Sequence, residues 1–419
     1  MDKANRRNFL KGFGAMITSA SLPNIQLQPP SFPRLSQTIR EEAYWNMVKE
    51  QFTIKPGYIM MNAANLCPSP YQVSEAINQQ NRLLEEDVSF QHRERFSQLE
   101  TDALQALAEY LSVDAGEVII SRNTSESNNI IVNGLDLGKG DEVLLWEQNH
   151  PTNLQAWQER GKRMGFGVKV ISLPEQAVSA QELIAPFEAA ITKKTRLLAF
   201  SHISNVSGIR LPAAEIISLA RNRGIMTLLD GAQSFGCMDM NLREIGCDFY
   251  TGSAHKWLMG PKETGILYVR SEMIERLWPN MVAVGYEGKD KGDIRRLSTF
   301  GQRHEAALAG LISILDFHQK IGKGAVEARM MELANALRLS ISAQVPSVEW
   351  VSPADDKLSA GVLICRIPGK DGRAMFGSLY KDYRIACAPT GGLRFSPHIY
   401  NTLEEVEKVG EALALISRS

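Results

Sequence analysis

The segment IMTLLDGAQS, residues 225–234, decides the fold because its short apolar run ends directly at the carboxylate of Asp230. Comparable runs recur from about residue 117 to residue 270, and helical stretches separate them. This alternation is typical of a mostly parallel sheet covered by helices. The predicted strands are Val118–Ser121, Glu142–Trp146, Val168–Ser172, Arg196–Ser201, Ile225–Leu229, Phe249–Gly252 and Gly265–Arg270.

Nearly every connection between these strands has the length of a crossover rather than of a hairpin, which favours parallel pairing. The fold class is therefore predicted as α/β, with a mostly parallel seven-stranded sheet in the large domain. The predicted helices are Ser36–Glu50 and Gln72–Tyr110 before the sheet, and Ser125–Asn133, Ala180–Ala190 and Ala213–Asn222 between its strands.

A smaller α+β domain is predicted near the C-terminus. Its elements are strands Val348–Val351, Val362–Arg366 and Arg384–Cys387 and helices Ala374–Tyr380 and Leu403–Ile416. We therefore predict three regions. Residues 1–34 form an export signal and linker, residues 35–320 form a large domain whose N-terminal helices pack with the small one, and residues 321–419 form the small domain.

The composition excludes several classes of protein. Of 419 residues, 46 are Lys or Arg and 47 are Asp or Glu, so the formal net charge is −1. Such a charge gives no bulk attraction to nucleic acid or to an anionic membrane. Hydrophobic residues at 44% and charged residues at 22% are typical of a globular protein. Five cysteines without a C-x-x-C pair form no disulfide framework, and no metal centre is predicted.

The first residues resemble an export signal. Arg6-Arg7-Asn8-Phe9-Leu10-Lys11 is similar to the twin-arginine pattern of two arginines, a variable residue, Phe, Leu and often Lys. The uncharged stretch that follows, Gly12–Leu22, is shorter than the ~20 residues of a membrane-spanning helix, so no stable membrane span is expected. We predict a periplasmic or otherwise exported protein. The alternative is a frayed basic N-terminus on a cytoplasmic protein.

The stretch TGSAHKWLMGPKETG, residues 251–265, contains a lysine between a predicted strand and a Gly-Pro turn. Lysine is almost never buried unless it is paired or reactive, and a desolvated lysine amine suits Schiff-base chemistry. A solvated loop lysine is the alternative for Lys256. Asp230 would face the same crevice, because ligands of such folds bind at the carboxyl ends of the strands. A carboxylate there can keep a pyridine nitrogen protonated.

These residues resemble two motifs of the pyridoxal-phosphate enzymes of the class V aminotransferase family, which includes cysteine desulfurases and isopenicillin N epimerase-like enzymes. Ser253-x-His255-Lys256 is similar to the family's S-x-H-K, and Asp230-x-x-Gln233 is similar to its D-x-x-Q. The resemblance covers most of residues 55–410. It implies fold type I, the cofactor pyridoxal 5'-phosphate and a homodimer. It also implies that Lys256 holds the cofactor, that Ser253 and His255 contact its phosphate, that Asp230 contacts the ring nitrogen, and that Gln233 lies near the ring hydroxyl.

Two further motifs bear on cofactor binding. Thr124 and Ser125 open a helix directly after a strand, where backbone N–H groups and the helix dipole favour an anion. A routine N-cap is the alternative, and the resemblance implies a phosphate contact. His150 lies in NHPTN, residues 149–153. The resemblance places its imidazole flat over the cofactor ring, where it can also transfer protons.

The last two motifs concern the substrate. Asn205 lies in HISNVSG, residues 202–208, which resembles H-x-S-N-x-x-G, and the resemblance implies a contact with cofactor or substrate. Arg394 lies in LRFSPHIYNT, residues 393–402, which resembles R-x-S-x-x-x-Y-N-T. A guanidinium is the natural bidentate partner of a carboxylate, although a surface salt bridge is the alternative. An Arg394 that binds carboxylate implies an amino acid or a related amine as substrate.

The sequence is compatible with several types of reaction. We favour a reaction at Cα, of the aminotransferase or epimerase type, with a cysteine desulfurase-like or other C–S lyase as the alternative. A desulfurase needs a thiolate on a mobile loop, and Cys387 is the nearest candidate, but its apolar, strand-like surroundings favour an inert thiol. In many relatives a Gly-Thr pair of the neighbouring subunit contributes a hydroxyl to the cofactor phosphate. The corresponding residues here are Gly301-Gln302, which lack that hydroxyl.

Two rival classes of protein have less support. A nicotinamide- or nucleotide-binding protein would need a G-x-G-x-x-G turn after an early strand. The only comparable glycines, Gly12 and Gly14, lie in the N-terminal leader with no strand before them. A catalytically inactive relative that acts as a binding protein is a second rival, and the retention of both Lys256 and Asp230 argues against it.

Overall fold

The structure is a computed structural model that describes residues 41–174, 177–286 and 289–418. The predicted export signal and linker at residues 1–34 lie outside the described residues, as do the first five residues of the predicted helix Ser36–Glu50. The elements up to the end of the large sheet are α1 Glu42–Lys49, β1 Ile59–Met60, α2 Tyr71–Glu86, α3 Phe90–Arg93, α4 Arg95–Leu111, β2 Val118–Ser121, α5 Thr124–Gly134, β3 Glu142–Trp146, α6 Pro151–Met164, β4 Gly167–Ile171, α7 Ala180–Ala190, β5 Thr195–Ser201, α8 Ala213–Arg221, β6 Met226–Asp230, α9 Leu242–Ile245, β7 Phe249–Ser253 and β8 Gly265–Val269. The elements that follow are α10 Ala306–Ile321, α11 Lys323–Gln344, β9 Glu349–Trp350, β10 Leu363–Arg366, α12 Gly372–Tyr383, β11 Ile385–Ala386, β12 Leu393–Phe395 and α13 Leu403–Arg418.

Strands β2 to β8 form the predicted sheet, in the order β2-β8-β7-β6-β5-β3-β4. All seven strands were predicted to within one residue at each end. The neighbouring strands from β7 to β4 pair in parallel, whereas β8 pairs antiparallel with both β7 and β2. Strands β2, β6, β7 and β8 are almost entirely buried, as expected for a sheet covered on both faces. The edge strand β4 is largely exposed or half-buried.

The C-terminal region contains a small three-stranded sheet, in which β9 and β10 were predicted as strands and β12 was not, whereas the predicted strand at β11 lies outside it. Strand β10 pairs antiparallel with β9 and β12, and β11 pairs in parallel with β1 near the N-terminus. A core of its own, with members from β10, β12, α11, α12 and α13, includes Leu337, Leu363, Leu379, Phe395 and Leu413. The boundary between domains at residue 320 stays a prediction.

One predicted helix, Gln72–Tyr110, is wrong as a continuous element. The chain breaks after Glu86 and resumes as α3 and α4. Ser89 is the N-cap of α3, since its Oγ accepts a hydrogen bond from the backbone N–H of His92 at 3.2 Å, and Asp87 accepts one from the backbone N–H of Ser89 at 2.9 Å. Asp and Ser side chains compete with helical hydrogen bonds in this way, so they end one helix and start the next.

We expect acidification to destabilise the fold through three buried histidines. Burial lowers the pKa of His202 and His398 to about 3 and that of His318 to about 4. Because these pKa values lie below the unfolded value of ~6.5, the stability they contribute is complete above pH ~6.5 and is lost as the pH falls toward the folded values. The loss at pH 5 is about 2 kcal/mol per histidine.

Urea unfolding at pH 7.5 and pH 5.0 measures this loss. The exposed His304 offers a matched control, because a His304→Gln variant should lose as much stability between the two pH values as the unchanged chain. Equal free energies of unfolding at the two pH values would contradict the expectation.

Candidate active site

The predicted site residues meet at one edge of the seven-stranded sheet. Strands β2, β3, β5, β6 and β7 run in the same direction, so the segments that follow them share this edge. These segments contain Thr124 and Ser125 after β2, His150 after β3, Asn205 after β5, Asp230 and Gln233 at β6, and Ser253, His255 and Lys256 at β7. The topology therefore brings together residues that lie up to 132 positions apart in the chain, from Thr124 to Lys256.

Lys256 lies in a tight turn between β7 and β8. The backbone N–H of Met259 donates to the Lys256 carbonyl at 2.8 Å, and Met259 has a positive φ of 61°. A non-glycine residue in this conformation stores strain, which is common at functional sites. Burial lowers the pKa of the Lys256 amine to about 8, an effect that Asp230 opposes and Arg394 reinforces. Within the described ranges the amine has no hydrogen-bond or ion-pair partner. A large fraction of it is therefore neutral and nucleophilic near pH 8.

Asp230 is buried and held by neutral donors. Its Oδ2 accepts a hydrogen bond from Asn128 Nδ2 at 2.9 Å and lies 3.5 Å from Asn153 Nδ2, while its Oδ1 accepts from the backbone N–H of Ala232 at 3.0 Å. Thr251 Oγ1 donates to Asn128 Oδ1 at 3.0 Å, which fixes the orientation of the Asn128 amide. Among the described residues Asp230 forms no ion pair, so the site offers a carboxylate for an incoming cation.

Thr124 and Ser253 form a polar corner at the N-terminus of α5. Their side-chain oxygens lie 2.7 Å apart, and the backbone N–H of Thr124 donates to Ser253 Oγ at 3.0 Å. Asn123 caps the helix by accepting from the backbone N–H of Glu126 at 3.0 Å. Gly265 lets β8 approach closely, because a Cβ there would lie 2.6 Å from Asn123 Cα. The helix dipole and the two hydroxyl groups make this corner suitable for a phosphate.

Two histidines beside Lys256 are predominantly neutral. Burial, reinforced by the positive charges of Lys256 and Lys262, lowers the pKa of His255 to about 4. Burial and the charge of Lys256 also lower the pKa of His150, whereas Asp230 raises it. His150 is the N-cap of α6, and its Nδ1 accepts from the backbone N–H of Thr152 at 3.3 Å. Neutral imidazoles can both accept and donate a proton.

Arg394 is 5% exposed and lies in β12. Its Nη1 donates to the Asn205 carbonyl and its Nη2 donates to Asn62 Oδ1, both at 3.2 Å, whereas its buried Nε has no partner. Burial lowers its pKa to about 10, so the guanidinium stays charged at neutral pH. A buried N–H without a partner costs free energy. The unpartnered Nε–H is therefore available to a carboxylate.

The same edge of the sheet also carries Gln233, Asn205 and Ser125. Gln233 accepts from Trp257 Nε1 at 2.7 Å and donates to the Ala64 carbonyl at 3.0 Å, so one of its amide protons stays available. Asn205 contacts Arg394 through its backbone carbonyl. Ser125 is half-buried at the start of α5. Their assigned contacts with cofactor or substrate stay predictions.

Cys387 directly follows the short strand β11. It is 3% exposed within the C-terminal core, and burial raises the pKa of its thiol to about 12. The next residues turn tightly, since Ala388 and Arg394 exchange two backbone hydrogen bonds of 3.0 and 2.8 Å. Gly391 in this turn has a φ of 75° and lies against the Val206 carbonyl. A thiol in this position does not act as a nucleophile in the described conformation.

The structure adds four residues that the sequence motifs did not assign. Asn128, Asn153 and Thr251 surround Asp230, and Asn62 supports Arg394. Asn128 has only a slight signal in the sequence, because an asparagine inside a helix is unfavourable unless its amide is hydrogen-bonded. Asn62 follows a two-residue strand, β1, and has no such signal.

These residues fit pyridoxal 5'-phosphate. The amine of Lys256 has no partner, the buried carboxylate of Asp230 has no cation, and the Thr124–Ser253 corner suits a phosphate. A lysine, a carboxylate and an anion site at the carboxyl edge of a mostly parallel sheet are what this cofactor needs. The fold and the site together define a pyridoxal-phosphate enzyme of fold type I.

Comparison with known proteins agrees with this class. The model of the family "Aminotransferase class-V" matches residues 60–409, and the chain belongs to this family. It is 32% identical over 395 residues to isopenicillin N epimerase of Amycolatopsis lactamdurans, covering 89% of this chain and 99% of that protein. It is 28% identical over 396 residues to a probable cysteine desulfurase of Methanothermobacter thermautotrophicus, covering 88% and 97% of the two chains.

Solved structures share the fold. The complex of the cystine C–S lyase C-DES with its reaction product, cysteine persulfide, has a TM-score of 0.79 at 25% identity and covers 86% of this chain and 98% of that one. The apo cysteine desulfurase from Thermococcus onnurineus NA1 has a TM-score of 0.81 at 22% identity, with coverage of 92% and 100%. The family, together with a solved structure of C-DES with glycine covalently linked to its PLP cofactor, establishes pyridoxal phosphate as the cofactor.

Proposed function

We propose that this enzyme acts at Cα of an amino acid, as an epimerase or aminotransferase, and does not pass sulfur through a protein thiol. The observation that supports this most strongly is that the buried amine of Lys256 is close enough to Asp230 and Arg394 for the charges of both to act on it. A substrate whose carboxylate binds Arg394 would thereby present its α-amino group and Cα to Lys256. The 32% identity to an isopenicillin N epimerase over 89% of the chain also supports a reaction at Cα.

Each residue has a distinct task in this proposal. When bound, pyridoxal phosphate supplies an electron sink for charge that develops at Cα. Lys256 Nζ holds the cofactor and then removes the Cα proton. Asp230 keeps a proton on the ring nitrogen, and Thr124, Ser253 and the N-terminus of α5 bind the phosphate. Arg394 orients the substrate, and the neutral imidazole of His150 can accept or return a proton.

The buried thiol of Cys387 disfavours a desulfurase that forms a persulfide on its own cysteine. Its raised pKa and the closed turn at residues 388–392 keep a thiolate away from the crevice. A C–S lyase that releases its sulfur product needs no such thiol. This alternative is supported by the fold shared with C-DES, whose reaction product is cysteine persulfide.

Incubation with a panel of amino acids in heavy water tests the proposal. Epimerisation exchanges the Cα proton for deuterium and yields both enantiomers without consuming the substrate. Transamination instead yields a keto acid and the amino form of the cofactor. Release of sulfide, persulfide or pyruvate from cysteine or cystine, without exchange into any other amino acid, would overturn the proposal in favour of the lyase. A Cys387→Ser variant serves as the control and should keep its rate in all three cases.

Replacement of Arg394 by glutamine should weaken substrate binding. The guanidinium offers charge and an unpartnered Nε–H to the substrate carboxylate, and loss of such a charged hydrogen bond costs about 2–4 kcal/mol. We therefore expect kcat/KM to fall on the order of 10²-fold or more, mainly through KM. The corresponding amine without a carboxylate should react equally with both proteins. Unchanged kcat/KM for the amino acid would contradict a role for Arg394 in carboxylate binding.

We also propose a homodimer. Its support is the family resemblance together with exposed apolar side chains on the segment 278–284, where Trp278 is 65% and Val282 is 63% exposed. Met281 and Val284 of this segment share a cleft of about 940 Å³ with Gly301 and Gln302. Gln302 is hydrogen-bonded to Arg93 and Glu305 of its own chain. It therefore does not take the place of the threonine whose hydroxyl contacts the phosphate in relatives. Light scattering should give twice the chain mass, and a monomer would contradict the proposal.

Export by the twin-arginine route is a further proposal, supported by Arg6-Arg7-Asn8-Phe9-Leu10. Within the described residues, no helix is both long and apolar enough to cross a membrane. Cell fractionation should find the protein outside the cytoplasm, and an Arg6→Lys, Arg7→Lys double variant should retain it inside. An equal distribution of the two proteins would contradict the proposal.

A further inference from the structure

The turn that contains Lys256 is held through consecutive backbone carbonyls. The Ala254 carbonyl accepts from the backbone N–H of Gly260 at 2.7 Å, and the His255 carbonyl accepts from that of Cys67 at 2.9 Å. The next carbonyl, of Lys256 itself, accepts from Met259. The carbonyls of Trp257 and Leu258 accept from side chains instead, and both side chains are histidines.

His398 holds the Trp257 carbonyl. Its Nε2 lies 2.8 Å from that oxygen, and its Nδ1 accepts from the backbone N–H of Ile399 at 2.8 Å. Because a backbone N–H can only donate and a carbonyl can only accept, these contacts place the single ring proton on Nε2. The ring stacks on Tyr400 with centroids 5.2 Å apart and an interplanar angle of 11°. His398 is therefore a fixed, neutral hydrogen-bond donor.

His318 holds the Leu258 carbonyl from α10. Its Nε2 lies 3.1 Å from that oxygen, and its Nδ1 lies 3.4 Å from the Tyr110 hydroxyl. Both histidines are fully buried. Two buried imidazole rings thus form hydrogen bonds with the adjacent carbonyls of Trp257 and Leu258, in a turn that is already strained at Met259.

His398 also belongs to the segment that contains the carboxylate-binding residue. Arg394 in β12 precedes it by four positions, and Ser396 between them bonds to the backbone of Met61 and Ala64. The Asn401 side chain accepts from the backbone N–H of His398 at 3.0 Å, which fixes the end of this segment. The position of Arg394 and the position of the Lys256 turn are therefore connected by a short, fully hydrogen-bonded path.

We propose that His398 and His318 are positioning residues that hold the turn of Lys256, and that His398 connects this turn to the segment of Arg394. The inference rests on the proposed function, in which Lys256 binds the cofactor and Arg394 binds the substrate carboxylate. Neither histidine touches the reacting atoms; each acts through the backbone next to the lysine.

The test measures the Lys256 amine in the full-length chain after removal of cofactor. Trace acetic anhydride is applied from pH 6 to pH 11, and mass spectrometry quantifies acetylation of the Lys256 peptide. The unchanged protein should titrate at about 8. His398→Phe keeps a planar ring but loses the donor, so water should enter the loosened turn and raise the midpoint by about one unit. Capture of pyridoxal phosphate at pH 8 should then slow ~5-fold, because the neutral fraction falls from about a half to about a tenth.

Three companion variants separate positioning from general structure. His398→Gln keeps an N–H donor at the place of Nε2 and should restore the midpoint to within ~0.3 units. His318→Phe should raise the midpoint as His398→Phe does, and it keeps the test available if a His398 variant fails to fold. Leu413→Ala truncates a fully buried side chain in the C-terminal core and should leave the midpoint unchanged.

Two outcomes would overturn the inference. The first is a midpoint in His398→Phe and His318→Phe equal to that of the unchanged protein. The second is a shift in Leu413→Ala as large as theirs, which would indicate a general effect of stability. The titration needs no bound cofactor, so its result is distinguishable from a failure of the proposed function, which would appear as no cofactor capture by the unchanged protein.

Discussion

Replacement of Lys256 by alanine is expected to abolish covalent attachment of pyridoxal phosphate and to lower kcat on the order of 10⁴–10⁶-fold. Lys256 follows β7 at the edge of the sheet that carries Asp230, and the charge of Asp230 acts on its amine. In the proposed function this amine both holds the cofactor and moves the Cα proton, so its loss removes two functions at once. Absorbance at ~410–430 nm and steady-state kinetics measure the two effects.

A Lys256→Arg variant is the matched control, because it keeps the positive charge and most of the length but provides no nucleophile. It should resemble Lys256→Ala in both measurements. A variant without this lysine that still binds cofactor covalently and turns over at the original rate would refute the assignment.

Replacement of Asp230 by alanine should leave the cofactor attached but lower kcat on the order of 10²–10³-fold, the usual cost of losing one preorganised electrostatic partner. The buried carboxylate accepts hydrogen bonds from Asn128 and Ala232 and has no cation of its own in the described structure. Without it, the ring nitrogen loses the group that keeps it protonated, so the electron sink weakens. Kinetics on the cofactor-saturated variant separate this effect from reduced binding.

Asp230→Asn is the matched control for charge, since it preserves shape while removing the negative charge. It should lose nearly as much activity as Asp230→Ala. Activity of Asp230→Asn close to that of the unchanged enzyme would show that the carboxylate charge is not used in this way.

Much of the fold follows from local patterns in the sequence. Strands β2 and β8 of the large sheet are short runs dominated by apolar residues, as burial on both faces favours. The break near Asp87 was missed because the apolar periodicity continues on both sides of it, whereas the competing hydrogen bonds of Asp87 and Ser89 depend on local geometry. The antiparallel direction of β8 was also not assigned, because the turn of Lys256 reverses the chain without a hairpin signal.

Some residues of the candidate site could likewise be predicted from the sequence, and others could not. Lys256 and Asp230 could be predicted as site residues because ligands of such folds bind at the carboxyl ends of the strands. Asn128, Asn62 and His398 act through partners 102, 332 and 141 positions away in the chain. Only the folded chain brings such partners together, so their roles could not be predicted from spacing.

The most direct test of the account is to reduce the purified, cofactor-saturated protein with borohydride and to map the modified peptide by mass spectrometry. We predict a yellow protein whose band at ~410–430 nm disappears on reduction, with the cofactor mass attached to Lys256. A protein that stays colourless after incubation with pyridoxal phosphate, or a cofactor mass on a different lysine, would contradict it.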